Sequence, residues 1–289
     1  MIIMKFMGGL GNQIYQYALG RKLSELHNSF LASDIHIYKN DPDREFVLDK
    51  FNIKVKHLPW KVIKLLNSDY ALKFDKVFHT EFYHELVLEK ALESKDIPRK
   101  NNLYLRGSWG NRKYYEDYID KISDEITLKE KFKTKDFNTV NKKVKNSDSV
   151  GIHIRRGDYE KVAHFKNFYG LLPPSYYSAA VDFIGNRIEK SNFFIFSDDT
   201  DWVKENLPFL KDSFFVSDII GSVDYLEFEL LKNCKHQIIA NSTFSWWAAR
   251  LNSNPAKIVI KPKRWFADDR QQAVYEIEDS YYIKEAIKL

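Results

Sequence analysis

The chain has 289 residues, 44% of them hydrophobic and 29% charged, which suffices for a substantial core and excludes disordered and fibrous classes. Its 45 basic and 40 acidic side chains leave a formal net charge of +5, a bias that suits anionic ligands and does not require nucleic acid. A single cysteine, Cys234, excludes an intrachain disulfide and a cysteine zinc cluster. No run of about eighteen apolar residues is present to span a membrane, and no leader precedes the first strand, so the sequence reads as cytoplasmic. A lipid-linked substrate would be met from the water side, by peripheral contact with the membrane.

In chain order, residues 1–6 form a short apolar run that predicts a strand, followed by the glycine turn Gly8-Gly9-Leu10-Gly11. Residues 12–26 then show helical spacing, with Ile14, Tyr17, Ala18, Leu19 and Leu23 on one face. Phe30-Leu31-Ala32 leads into Ser33-Asp34 as a second strand, and strand, glycine turn, helix and strand together are an α/β opening. The amphipathic, aromatic stretch 60–95 predicts helix, 103–109 a strand ending in a turn, and 119–132 a further helix. The polar, lysine-rich stretch 133–149 reads as a linker, its Lys142-Lys143-Val144-Lys145 run as a solvated face.

The second half restarts at a strand over 150–154. A helix over 174–189, a strand at 193–196, a short helix from Trp202 and a strand near 214–216 follow. A helix over 223–234, a strand at 237–240, a helix over 246–251 and a strand at 257–260 complete the alternation. The expected architecture is therefore two α/β domains facing across a cleft, with polar groups at strand C-terminal ends, where open parallel sheets take ligands.

Those polar groups form four constellations. In His153-Ile154-Arg155-Arg156-Gly157-Asp158, His153 and Arg155 share one side of a strand and Arg156 takes the other. An arginine there offers a planar fork to a diphosphate; His153 can donate to a base or ribose, and Asp158 can fix an arginine or receive a proton. The structural alternative is an ion-paired turn of Arg156 with Asp158. In Asn241-Ser242-Thr243-Phe244-Ser245, small polar residues follow a strand and open a helix, a natural anion site or an ordinary cap. The next two residues, Trp246 and Trp247, read as packing.

Asp198 and Asp199, after Phe196-Ser197, admit three readings: a guanine acceptor, a manganese pair, or a turn capping the next helix. The fourth constellation, Gly8-Gly9-Leu10-Gly11-Asn12-Gln13, allows close backbone approach to a ligand. It also imitates a dinucleotide fingerprint, with Asp34 at the right distance but Ile14 where the third glycine belongs.

In this order, and with Cys234-Lys235-His236 and Pro262-Lys263-Arg264-Trp265-Phe266, the four motifs resemble glycosyltransferase family 11, the α-1,2-fucosyltransferases. The resemblance spans nearly the whole chain and is to the bacterial members. It implies a GT-B-like fold of two Rossmann-like domains facing a cleft: an acceptor-side domain over 1–140 and a GDP-fucose-binding domain over 150–289. It also implies GDP-fucose as substrate with no cofactor and no metal, and transfer with inversion to the 2-hydroxyl of a β-galactoside. The acceptor would be a galactose-containing glycan or glycolipid, as in O-antigen assembly.

By the family pattern, Arg155 holds the β-phosphate and stabilises it as it leaves, while Arg156 stands beside it in the donor site. His153 contacts the nucleoside and Asp198 the guanine, with Asp199 next to it. Asn241, Ser242, Thr243, Phe244 and Ser245 take the phosphates. Gly9, Gly11, Asn12 and Gln13 approach the donor from the first domain, Asn12 with a catalytic role. Asp158 is the candidate general base, with His164 and Glu160 as rivals. Arg106-Gly107-Ser108-Trp109 and Ala248-Ala249-Arg250 depart from the common pattern at positions that bear on acceptor fit. A dinucleotide-dependent oxidoreductase, resting on Gly9, Gly11 and Asp34, and a non-enzymatic glycan-binding protein, resting on the aromatic content, are the competing readings.

Overall fold

The computed structural model describes residues 1–66, 80–84, 102–278, 283 and 286–289. The chain divides into two units, Met1–Thr127 and Leu128–Leu289.

The first unit is built on β1 (Ile2–Lys5), β2 (Leu31–Asp34), β3 (Lys56–His57), β4 (Thr80–His84) and β5 (Asn102–Arg106). These pair in the order β3-β2-β1-β5-β4, all parallel. Ile2, Ile3 and Met4 are wholly buried, as a central parallel strand covered on both faces requires. Gly8, at φ +76, supplies the left-handed turn that leads into helix Leu10–Leu26. The predicted face of that helix is buried, but so are Gln13, Gln16, Arg21 and Ser24. Arg21 makes two hydrogen bonds to Glu125, at 3.0 and 2.9 Å, and the Tyr17 hydroxyl donates to the same carboxylate, so helix Ile119–Glu125 is locked onto helix Leu10–Leu26. Breaking such a buried pair by removing one partner costs about 3–5 kcal/mol.

The helix expected over 60–95 is corrected in part. Trp60–Leu66 is helical, whereas Thr80–His84 is a strand parallel to β5. Its Thr-Glu-Phe-Tyr-His sequence carries the β-branched and aromatic residues that favour a pleated ladder. The rest of that stretch lies outside the described residues.

In the second unit, β6 (Asp148–Ile154), β7 (Ser191–Ser197), β8 (Phe214–Phe215), β9 (His236–Ile238), β10 (Val259–Lys261) and β11 (Ile287–Lys288) pair in the order β11-β10-β9-β6-β7-β8, again all parallel. The predicted linker at 133–149 is instead mostly helix Lys135–Lys145, with Phe137, Val140 and Val144 buried at a spacing of three and four residues. Thr134 caps it by accepting from the Phe137 N–H at 3.1 Å, and the lysines occupy its last turn, where the dipole favours them. Three apolar residues on one face suffice to dock an otherwise polar helix. It belongs to the second unit, so the boundary falls at 127/128, ahead of the expected 140.

Strand alternation sorts β6. Val150, Ile152 and Ile154 pack into a core with Tyr176, Tyr177, Ala180 and Ile184 of helix Pro174–Gly185. Each large apolar side chain buried there contributes about 1.5–3 kcal/mol. Gly151 and His153 face the other way, towards helix Asp224–Asn233. A Cβ on Gly151 would lie 2.5 Å from Leu231 Cδ1 and 3.1 Å from Cys234 Sγ, so glycine sets how closely that helix approaches. Cys234 is buried with its thiol donating to the Leu230 carbonyl, a packing role.

Candidate active site

In the second sheet, the chain winds from β6 outward through β7 to β8, then returns to place β9, β10 and β11 on the opposite side. The crevice at the carboxyl ends of β6 and β9 is the point where the order reverses, and ligands bind open parallel sheets at such points. His153, Arg155 and Arg156 leave the end of β6 there; Asn241 and Ser242 follow β9, with helix Thr243–Arg250 opening immediately after. The register also pairs Ile154 with Ser197, so the next residues along, Arg155 and Asp198, meet.

Their meeting is an ion pair of 2.8 Å from Arg155 Nη1 to Asp198 Oδ2, while Arg155 Nη2 donates to Asp158 Oδ1 at 2.5 Å. Two carboxylates thus aim one guanidinium. Burial works against its charge, and Asp198 and Asp158 more than offset that, keeping it firmly protonated. Asp198 is itself held, since its Oδ1 accepts from the Arg156 backbone N–H at 2.8 Å. Gly157 makes the arrangement sterically feasible, because a Cβ there would lie 2.4 Å from Asp198 Oδ2. The Arg155 guanidinium also stands 5.5 Å from the Tyr159 ring centroid, and Tyr159 stacks on Tyr169 at 4.7 Å.

Arg156 is used differently. It lies 3.6 Å over the Trp202 ring, donates to Glu160 at 2.7 Å, and approaches Asp199 at 3.6 Å. The ion pair with Asp158, considered as a turn-forming alternative, is made by Arg155 instead. Asp199 caps helix Thr200–Asn206 by accepting from the Trp202 N–H at 3.2 Å, the capping reading of that aspartate. With Asp198 clasping Arg155 and Asp199 at the cap, neither is arranged as half of a metal pair. Among the described residues, no three His, Cys, Asp or Glu side chains gather to hold an ion.

His153 is 5% exposed, its ring 5.2 Å from that of Phe244. Burial first, and Arg155 second, push its pKa down to about 3, so the imidazole is neutral. Its Nδ1 is buried without a hydrogen-bond partner among the described residues. Ser242 sits at the N-cap of helix Thr243–Arg250, and no side-chain hydrogen bond caps that end. The first-turn N–H groups and helix dipole there suit an anion.

Two members of the expected phosphate-binding run have side chains spent elsewhere. The Asn241 amide donates to the carbonyls of Tyr169 at 2.9 Å, Trp265 at 3.1 Å and Gly170 at 3.4 Å, stapling two loops beside the site. Ser245 is fully buried, and its hydroxyl donates back to the Ala240 and Ser242 carbonyls. Thr243 and Phe244 are half-buried in the first turn. Trp246 and Trp247 are wholly buried, so they pack and offer no platform to a glycan.

Of the rival bases, Glu160 is tied to Arg156 and to Lys166 at 3.0 Å, and those contacts, Lys166 foremost, hold its carboxyl below the usual range. His164 is exposed, its ring 6.0 Å from Phe168.

In the first unit, the order reverses between β1 and β5, and the glycine turn follows β1 there. Asn12 is half-exposed and packs over Gly8, where a Cβ would lie 2.7 Å from its Nδ2; a Cβ on Gly9 would meet Arg44 Nη1 at 2.9 Å. Gly11 is buried in the helix. Gln13 is wholly buried and binds the chain itself: Nε2 donates to the Gly8 and Glu45 carbonyls, and Oε1 accepts from Val47 N–H. It shapes the turn and offers no atom to a ligand. Trp109, after β5, is buried at φ +58, a left-handed conformation that a bulky residue adopts only under constraint.

Asp34, on which the dinucleotide reading depended, accepts from the Tyr104 hydroxyl at 2.5 Å and from His36 N–H and Nδ1 at 3.1 and 3.0 Å. A ribose would have to displace them.

One residue escaped the sequence reading. Glu227, in the first turn of helix Asp224–Asn233, is 8% exposed, and its Oε1 has no hydrogen-bond partner among the described residues. Burial raises its pKa to about 7, opposed by a Ser217 hydrogen bond, reinforced by Asp224 and Asp198, and opposed again by Arg155. An acid within the apolar run Leu226-Glu227-Phe228-Glu229-Leu230-Leu231 was the available signal.

Each unit is a parallel, Rossmann-like sheet, and the aimed arginine beside a helix N-terminus in the second suits a phosphate-bearing ligand. The Bradyrhizobium fucosyltransferase NodZ shares this fold, with a TM-score of 0.55 at 14% identity over 86% of this chain and 92% of its own. The same enzyme soaked with GDP-fucose gives 0.53 at 16% identity, covering 88% and 96%. An Escherichia coli protein named alpha-1,2-colitosyltransferase is 31% identical over 281 residues, 92% of each chain. The E. coli O-antigen biosynthesis glycosyltransferase WbnK is 31% identical over 287 residues, covering 91% of this chain and 94% of its own. The sequence profile of glycosyl transferase family 11 matches residues 2–286, and the chain belongs to that family. It is a glycosyltransferase.

Proposed function

We propose that this enzyme is an inverting α-1,2-fucosyltransferase that moves fucose from GDP-fucose to the 2-hydroxyl of a β-galactoside. The observation that carries the reading is Arg155, held by Asp158 and Asp198 at the switch point beside the uncapped helix at Ser242. Support comes from NodZ, whose crystals were soaked with GDP-fucose, and from the α-1,2 linkage named for the E. coli relative.

In this reading the diphosphate lies between Arg155 and the N-terminus of helix Thr243–Arg250. As the glycosidic bond breaks, the sugar turns towards an oxocarbenium ion and the β-phosphate gains charge. A guanidinium aimed in advance stabilises that charge more than it stabilises the ground state. Asp158 and Asp198 spend their charge on orienting Arg155, and a loose transition state needs only a weak base for the acceptor hydroxyl. No metal is required, because Arg155 and the helix terminus meet the phosphate charge. On the first unit, the turn ending at the strained Trp109 contributes to acceptor choice. The enzyme works in the cytoplasm on a galactose-containing glycan or glycolipid, as in O-antigen assembly.

The deciding experiment offers the purified protein GDP-fucose with lactose and other β-galactosides, in excess chelator. GDP-colitose forms the second arm, because one relative is a colitosyltransferase. Transfer to the galactose 2-hydroxyl with chelator present is expected. Neither transfer nor donor hydrolysis, with GDP bound no more tightly than UDP, would sink the proposal.

A further inference from the structure

The two carboxylates fix only part of the Arg155 geometry. Asp198 and Asp158 engage Nη1 and Nη2, which leaves roughly three of the five guanidinium N–H donors for a ligand. Both contacts act in the plane of the guanidinium, so tilt out of that plane is left soft. The group lies over the Tyr159 ring, 5.5 Å from its centroid, where an aromatic face attracts the cation and resists that tilt.

The ring has its own backing. Tyr159 stacks on Tyr169 with centroids 4.7 Å apart and an interplanar angle of 7°. Tyr169 stacks in turn on Phe266 at 5.7 Å, and Phe168 stands edge-on to both, at 4.8 and 5.2 Å. The backbone that carries these rings is pinned. Ala267 N–H donates to the Phe168 carbonyl at 3.0 Å, and Phe266 N–H donates to Gln272 Oε1 at 3.1 Å. The Asn241 amide holds the Tyr169 and Trp265 carbonyls. Burial alone does not account for the arrangement. Trp265 is buried in the core, whereas Phe266, Tyr159, Phe168 and Tyr169 are only half-buried, at the carboxyl end of the sheet. Within the segment Pro262-Lys263-Arg264-Trp265-Phe266, one ring therefore packs and the next serves this cluster.

Tyr159 also reaches the other anion-binding element. Its hydroxyl donates to the Asn241 carbonyl at 3.3 Å, one residue before Ser242 at the N-cap of helix Thr243–Arg250. One side chain thus touches both the guanidinium and the approach to the helix N-terminus. We propose that Tyr159 is the positioning residue that holds Arg155 at its working tilt, with Tyr169 and Phe266 as its backing; the assignment rests on the diphosphate reading above. A charge aimed in advance stabilises a transition state without reorganising, and a guanidinium free to tilt gives part of that stabilisation back. Because the β-phosphate gains its charge as the sugar leaves, the loss falls on turnover more than on donor binding.

The test measures initial rates of sugar transfer by Tyr159→Leu and Tyr159→Phe on the intact enzyme, each with Arg155 and with Arg155→Lys. Tyr159→Leu should lower kcat about tenfold or more and leave donor KM within about threefold. Tyr159→Phe keeps the ring and should stay within about threefold of wild type. Beside Arg155→Lys, which has no planar group to hold, Tyr159→Leu should cost less than about threefold. Phe266→Leu removes the backing and leaves Tyr159 in place, so it should lower kcat in the same direction, and it replaces Tyr159→Leu in every comparison if that variant does not fold. A folded variant with kcat within about twofold of wild type overturns the assignment. An equal loss in both backgrounds overturns it too, because the ring would then act without the arginine. A loss in Tyr159→Phe as large as in Tyr159→Leu assigns the effect to the hydroxyl and is equally fatal. If the wild type uses neither GDP-fucose nor GDP-colitose, the donor reading fails by itself. The assignment is then judged on the nitrogen-15 NMR signal of Arg155 Nε–H, identified by its absence from Arg155→Lys: removal of the ring should shift and broaden it, and an unchanged signal refutes the positioning role.

Discussion

Replacing Gly157 by alanine tests the clamp on Arg155 without touching a charged group. A Cβ at this position would lie 2.4 Å from Asp198 Oδ2 and 2.9 Å from its Cγ, whereas ordinary contact begins at 3.4 Å, so the carboxylate must retreat by about 1 Å. That retreat weakens two hydrogen bonds, the 2.8 Å contacts to Arg155 Nη1 and to the Arg156 N–H. Bonds to charged groups contribute about 1.5–3 kcal/mol each, which sets the ceiling of the loss. Residue 157 opens a short helix, where replacing glycine by alanine alone would stabilise by up to about 1 kcal/mol. Helix propensity and the clamp therefore predict opposite signs. With partial displacement, the net expectation is a loss of about 1–3 kcal/mol in stability. A guanidinium displaced by about 1 Å should lower kcat about a hundredfold. The assay pairs denaturant unfolding with initial rates of transfer from GDP-fucose. A variant at least as stable as wild type, with kcat within about twofold, would show that Asp198 does not place Arg155, against the reasoning from near-attack geometry.

Arg155→Ala should cost about 10²–10³ in kcat, the size seen for oxyanion donors, and Arg155→Lys should recover only part because it lacks the planar fork; near-normal turnover in folded Arg155→Ala would remove the arginine from its role. Glu227 sets a pH dependence whose sign is fixed by its environment. Burial, with Asp224 and Asp198, outweighs Ser217 and Arg155, and the folded value of about 7 lies above the ordinary 4.5. The native state thus keeps a proton that the unfolded chain releases. Stability attributable to this group falls as pH rises from about 4.5 to 7 and is flat beyond, a loss of about 3 kcal/mol. Glu227→Gln should therefore unfold at higher denaturant than wild type at pH 8; lower stability than wild type at that pH would contradict the sign. Asn241→Ala removes the staple to the Tyr169, Gly170 and Trp265 carbonyls and should cost about 2–4 kcal/mol. A change under about 0.5 kcal/mol on denaturant titration would show that the staple is not needed.

The strand-end motifs were legible because their signals are local. Apolar runs of four to six residues, stopped by glycine or by polar clusters, mark parallel strands, and alternation along β6 separates Ile152 and Ile154 from His153 and Arg155 without reference to any partner. The resemblance to family 11 rested on the same stretches. The sequence reading went astray where a weak local signal was decided by packing. Phe137, Val140 and Val144 looked too sparse among lysines to make more than a linker, yet the second unit offers a surface that buries all three. Thr80–His84 has the aromatic content of an amphipathic helix, and a neighbouring strand edge draws it into the sheet.

The division of labour within the site shows the same limit. Sequence alone determined that two arginines, two aspartates and a run of small polar residues gather at strand ends, since chain order and strand period place them there. Which arginine is aimed and which is packed depended on Trp202 and Glu160 for Arg156, and on Asp158 and Asp198 for Arg155. Only the register between β6 and β7 brings Asp198 to Arg155, and only the missing Cβ of Gly157 leaves room for its carboxylate. Gln13 and Asn241, polar residues in binding-type motifs, proved to be bound to their own backbone, while Glu227, hidden in an apolar helix, carries an unsatisfied oxygen. Hydrogen-bond satisfaction depends on what stands within 3 Å of an atom, and most of those neighbours are far away in the chain. Residue types and periods are written locally; partners are assigned only when the chain folds.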